Sequence, residues 1–140
     1  MLAFMAGTLA VCASLEVHFF VDDASPAELY PSDNRFATFI AVRNTTDREL
    51  SLVIEYWDKN GTSATPAENV YVLAPQGSMS WRPAACSPGI EQSDVPDMVG
   101  VTSGSARIRF VGKNGELVGR VMTLTRNGHS AYLLPTGPED

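Results

Sequence analysis

From Ser14 onward, apolar and polar residues alternate with a period of two, and turn-forming residues break the pattern about every ten positions. That period belongs to a strand with one buried face, because successive side chains of an extended chain point to opposite sides. No segment longer than about ten residues carries helical spacing, so any helix should be short. Leu15, Val17, Phe19 and Val21 form the inner face of a first strand, and Phe36, Thr38, Ile40 and Val42 that of a second. Leu50, Leu52, Ile54 and Tyr56 follow on a third, with Ser51, Glu55 and Trp57 turned the other way. Shorter runs at Asn69–Leu73 and Ser78–Arg82 precede a long irregular stretch, Pro83 to Asp97, the longest loop and the natural place for a functional one. Ala106, Ile108 and Phe110 then face inward on one strand and Leu117, Gly119 and Val121 on the next, with Gly112-Lys113-Asn114-Gly115 joining them as a hairpin. Arg126-Asn127-Gly128 turns the chain into a last strand, His129–Leu134.

Seven or eight short strands at this spacing imply an all-β fold, an antiparallel two-sheet sandwich of immunoglobulin-like type, with a small β-barrel as the alternative. The chain has 140 residues, 44% of them apolar and 19% charged, which is enough to bury one core and too apolar for intrinsic disorder. Residues 14–135 are expected to form the single domain, with 136–140 as a tail. The formal net charge of −6 argues against nucleic acid and anionic membranes as partners, since both demand a basic footprint.

Residues 1–13 read either as a leader-like apolar segment or as a first strand. Leu2 to Ala13 resembles the core of a secretory signal, with a small-residue cleavage point before Ser14, but no basic residue precedes it. Leu9-Ala10-Val11-Cys12 approaches a lipoprotein box, with Val11 a poor fit, and the run is too short for a membrane span. On this basis the protein is expected outside the cytoplasm: secreted, periplasmic or at the cell surface. The two cysteines, Cys12 and Cys86, match no zinc spacing, and a bridge between them is one option among several.

Asn44-Thr45-Thr46, then Leu52 to Gly61 with its Tyr56-Trp57-Asp58-Lys59-Asn60-Gly61 ending, then Leu73-Ala74-Pro75-Gln76-Gly77-Ser78, is similar to the immunoglobulin-like modules of bacterial surface and secreted proteins. The likeness covers about a quarter of the chain and lacks the cysteine pair around a core tryptophan and a tyrosine corner. It implies the fold and carries over no functional residue.

Catalytic chemistry finds little material. His18 and His129 are the only histidines, and His129 and Ser130, being adjacent on a strand, point to opposite faces. No nucleophile elbow, metalloprotease motif or phosphate loop occurs. The chain is therefore expected not to be an enzyme, and no cofactor or metal is assigned. Asp22-Asp23, Asp33-Asn34 and Asp58-Lys59-Asn60-Gly61 offer oxygen ligands, but the bidentate glutamate of a calcium loop is missing. Asn44 and Asn60 begin glycosylation sequons.

Two features stand as candidate ligand or partner sites. Trp57 and Trp81, with Tyr71, could form an aromatic platform for carbohydrate, Trp81 being capped by Arg82. Arg107, Arg109 and Arg120 fall on one face of the expected closing hairpin, where like charges opposite one another require a nearby negative group, either an internal carboxylate such as Glu55 or Glu91 or an acidic partner. The expected function is a non-catalytic structural or protein-interaction module of a surface or envelope assembly, with a protein partner or self-association. A carbohydrate-binding module is the alternative, and a small hydrolase comes third.

Overall fold

A computed structural model describes residues 12–85 and 91–138. Eight strands run in chain order: β1 (Cys12–Val21), β2 (Ala37–Asn44), β3 (Leu50–Asp58), β4 (Val70–Leu73), β5 (Ser78–Trp81), β6 (Ser103–Val111), β7 (Leu117–Thr125) and β8 (Gly128–Leu133). They form two antiparallel four-stranded sheets, sheet A in the order β1-β6-β3-β4 and sheet B in the order β5-β2-β7-β8. This is an open sandwich, not a closed barrel. Among the described residues there is no helix, hence none long and apolar enough to cross a membrane.

The alternating residues meet between the sheets. Leu15, Val17, Ile40, Val42, Leu50, Leu52, Ile54, Tyr56, Ile108, Phe110, Leu117 and Val121 are all buried in one core. Fully burying one such aliphatic side chain contributes about 1.5–3 kcal/mol, and this repeated term stabilises the stacked sheets. Phe20 packs edge-on against Tyr56 at 6.4 Å between ring centres. A smaller cluster of Ala24, Ala37, Phe39 and Leu124 lies beside the partly buried Met122. Ala37, Phe39 and Leu124 stand out of phase with the inward row Thr38, Ile40, Val42 and Val121, so this cluster lies on the outer side of sheet B.

Three expected alignments change. Phe36, expected on the inner face of the second strand, precedes β2 and is 39% exposed. Phe19 is 55% exposed while Phe20 is buried, the reverse of the alternation counted from Leu15. The register explains it: Val17 pairs with Ala106 but Phe20 pairs with Gly104, so a bulge inserts one extra residue in β1 and flips the faces beyond it. The largest correction concerns residues 112–115. They do not close a hairpin within one sheet, because β6 pairs with β1 and β3 whereas β7 pairs with β2 and β8. The segment turns a corner between sheets, and Glu116 N–H donates to the Lys113 carbonyl at 3.0 Å. Both strands keep the inward faces that their alternation specified.

At the chain's start, Cys12 and Ala13 already belong to β1, and Ala13 is in the core. The rest of the leader-like run lies outside the described residues, as does Cys86; Cys12 is a free thiol. At the other end, Leu15 bridges Thr136, so the residues assigned to a tail include part of sheet A's border.

Candidate functional site

The outer face of sheet A carries the most organised group of polar side chains. The register sets Glu16 of β1 and Glu55 of β3 on either side of Arg107 of β6. Arg107 Nε donates to Glu16 Oε2 at 2.7 Å, and Ser14 Oγ donates to the same oxygen at 3.2 Å. The Arg107 guanidinium carbon also stands 5.7 Å from the centre of the Trp57 ring, within cation–π range. One step along β6, Arg109 Nη1 is 3.9 Å from Glu55 Oε2. Two of the three arginines expected to need a negative neighbour, Arg107 and Arg109, therefore have internal carboxylates, Glu16 and Glu55. Glu91 serves elsewhere, accepting from the Arg82 backbone N–H at 2.9 Å.

These pairs are partly solvated, with 37% and 42% exposure at Arg107 and Arg109, so each contributes at most about 1 kcal/mol. Their effect is to order the side chains. Trp57 remains half-buried with Arg107 beside its ring, and Val70 and Val72 of the neighbouring edge strand are 64% and 57% exposed. The face thus combines fixed planar groups with an apolar margin.

Arg120 does not join this group. It lies in β7, across from Ala41 and Leu133, on the outer face of sheet B. The single-face arrangement of Arg107, Arg109 and Arg120 is overturned by the sheet crossing at 112–116. The feared like-charge contact is removed with it.

Trp81 offers no platform either. It is fully buried, and its indole Nε1 donates to the Tyr56 hydroxyl at 2.7 Å. Burial pushes the Tyr56 hydroxyl far above its ordinary value, against the lowering effect of that hydrogen bond. Arg82 does not cap Trp81 from solvent; it is itself fully buried. Its guanidinium donates to Asp22 Oδ1 at 2.6 and 2.8 Å and to the carbonyls of Ala24 and Ser25 at 2.9 and 3.1 Å. Asp22 also accepts from the Thr38 and Ala84 N–H groups at 3.0 and 2.8 Å. Desolvation nonetheless raises the Asp22 carboxyl above its ordinary value, with Arg82 and the two amides pulling it back down. The pair ties the loop after β1 to the ends of β2 and β5. Sequence reasoning missed it, since Trp81 and Arg82 are consecutive and both buried, which no strict alternation anticipates.

Asn44 also proves structural. Its side-chain amide is buried, donating to the carbonyls of Arg48 and Ala74 at 2.7 and 3.0 Å, while its Oδ1 accepts from Thr46 N–H at 2.9 Å. It joins the corner after β2 to the corner after β4 and presents no free amide to a glycosylating enzyme. In the other acidic turns, Asp58 Oδ1 accepts from the N–H groups of Asn60 and Thr62 at 2.8 and 2.9 Å, and Asp33 pairs with Arg35 at 3.4 Å. Among the described residues no three His, Cys, Asp or Glu side chains converge on one metal position. His18 and His129 are exposed on different sheets. A depression of about 260 Å³ between residues 33–36 and 125–127 has Phe36, Arg35 and Arg126 in its wall.

The chain matches no family model, no curated protein and no solved structure.

Proposed function

We propose that this chain is a non-catalytic structural or protein-interaction module working outside the cytoplasm, and that the outer face of sheet A receives its partner. The observation that carries the reading is the ordered row Glu16–Arg107–Trp57, flanked by Arg109–Glu55 and by exposed Val70 and Val72. Arginine and tryptophan held in place before binding lose little side-chain entropy on association, and such residues dominate interface energetics. The placement outside the cytoplasm is supported by the apolar, leader-like composition of residues 2–11, which precede Cys12 and Ala13 of β1, and by the likeness to bacterial surface modules.

A photo-reactive residue at position 72, introduced in the source cell, is the test. The expected outcome is a discrete adduct with one protein, absent when the probe sits at position 118 on sheet B and lost on Trp57→Ala or Arg107→Ala. Equal labelling from both faces, or none from position 72, rejects the reading. Mature mass and protease accessibility in intact cells test the location.

Carbohydrate binding is the second reading and depends on Trp57, since Trp81 is in the core and Tyr71 packs against it. A glycan array giving Trp57-dependent signals would favour it, and a blank array removes it.

A further inference from the structure

We infer that β8 is a self-association edge, through which two copies of this chain pair their B sheets about a two-fold axis. The inference deepens the interaction-module reading by naming a second copy as one partner, and it uses a different part of the molecule.

Each sandwich has four sheet borders, and an exposed border is a row of unpaired backbone donors and acceptors that invites another strand. Three are closed or cut short. On β1, Glu16 N–H donates to the Pro135 carbonyl and Gly137 N–H to the Ser14 carbonyl, both at 2.9 Å. On β5, Gln92 N–H donates to the Ser80 carbonyl at 3.1 Å and Ser80 N–H to Ser93 Oγ at 3.3 Å. The β4 border is only four residues long. On β8, no described segment pairs with the side away from β7.

The register assigns the free groups. Leu134 N–H donates to the Gly119 carbonyl, continuing the Arg120–Leu133 and Thr123–Ser130 pairing. Backbone groups alternate sides along an antiparallel strand, so the even-numbered residues 130, 132 and 134 address β7. The N–H and C=O groups of His129, Ala131 and Leu133 address the open side.

A second β8 is the matching occupant. An antiparallel copy centred on Ala131 sets Ala131 against its own equivalent, His129 against Leu133, and Ser130 against Tyr132. Every outward donor then meets an outward acceptor, and the arrangement closes as a two-fold dimer. Charge selects the same contact. The chain carries a net charge of −6, yet Gly128–Leu133 holds no Asp, Glu, Lys or Arg and no proline, the devices that normally keep edges apart, and its one imidazole, His129, faces Leu133 in the pairing. Copies that repel elsewhere meet no repulsion here. Tyr132 and Leu133 are 44% and 81% exposed, and pairing would cover them. The product is a continuous eight-stranded sheet, within the ordinary range.

Sedimentation equilibrium of the full chain is the test, with the alternation supplying precise variants. Wild type is expected at twice the 15.1 kDa chain mass. Ala131→Pro removes an outward N–H without touching the β7 ladder, and should sediment as a monomer that still unfolds in one cooperative transition. Ala131→Lys and Ala131→Glu each place like charges across the axis and should be monomeric, while an equimolar mixture restores the dimer. A monomeric wild type overturns the inference; if its Ala131 amide is also protected from exchange, the edge is covered within one chain. A dimer indifferent to all three variants overturns it too, since the copies then meet elsewhere. These outcomes are independent of the position-72 cross-link, so either reading can fail alone.

Discussion

Tyr56 illustrates how a single hydroxyl sets a pH limit on this core. Its ordinary value is 10.0, and burial raises it well above that in the folded chain. The folded protein therefore holds the phenolic proton where the unfolded chain releases it. Stability from this group is complete below pH 10 and is lost as pH rises toward the folded value, by up to about 1.4 kcal/mol per pH unit. Tyr56→Phe should flatten the alkaline limb of stability against pH, measured by urea unfolding between pH 9 and 11. At pH 7 the same variant should cost about 1–3 kcal/mol, because the Trp81 N–H loses its acceptor. The Asp22–Arg82 pair makes a second residue-scale prediction. Asp22→Ala leaves a buried guanidinium without its carboxylate and should destabilise by about 3–5 kcal/mol. Replacing both partners together, as Asp22→Leu with Arg82→Met, should recover much of that loss, because no buried charge is then left unpaired.

Within the elements, the bulge in β1 and the glycine opposite it act as one device. Gly104 pairs with Phe20 just past the bulge, and a Cβ on it would lie 2.0 Å from the Trp57 carbonyl oxygen, a backbone atom that cannot swing aside. Gly104→Ala must therefore push β3 and β6 apart where Phe20 meets Tyr56. The expected result is a loss of several degrees in Tm, with changed near-ultraviolet circular dichroism. Gly61 and Gly115, by contrast, have positive φ but open space around them, so substitution there is strained by the backbone alone. The strands themselves were legible: the inward rows of β3, β6 and β7, and Thr38, Ile40 and Val42 of β2, are those counted from the alternation. Phe19 and Phe20 were not, because a bulge leaves the composition of a strand unchanged while reversing its phase.

Across the whole molecule, the segment that covers the β1 border of sheet A comes from the far end of the described chain. Residues 135–137 border β1, and Leu134 packs in the core. Truncation after Leu134 should leave the sandwich topology intact but open the β1 border. The expected outcome is a lower unfolding midpoint together with concentration-dependent aggregation, followed by light scattering during heating. Restoring aggregation resistance with a charged substitution at an outward position of β1 would confirm that the exposed border is the cause.

Alternation and turn chemistry, both local properties of the amino-acid sequence, were enough to establish an all-β fold, the faces of most strands and the positions of most turns, while leaving a sandwich and a small barrel both open. They succeed because burying one face of a pleated strand is a condition each segment meets by itself. Which strands pair is a different matter, settled by contacts between residues distant in sequence. Only the tertiary structure sends β6 and β7 to different sheets, separating Arg120 from Arg107 and Arg109. It alone draws Trp81 inward to Tyr56, closes Arg82 on Asp22 across sixty residues, and sets β8 at the border of sheet B, with no other described strand beyond it.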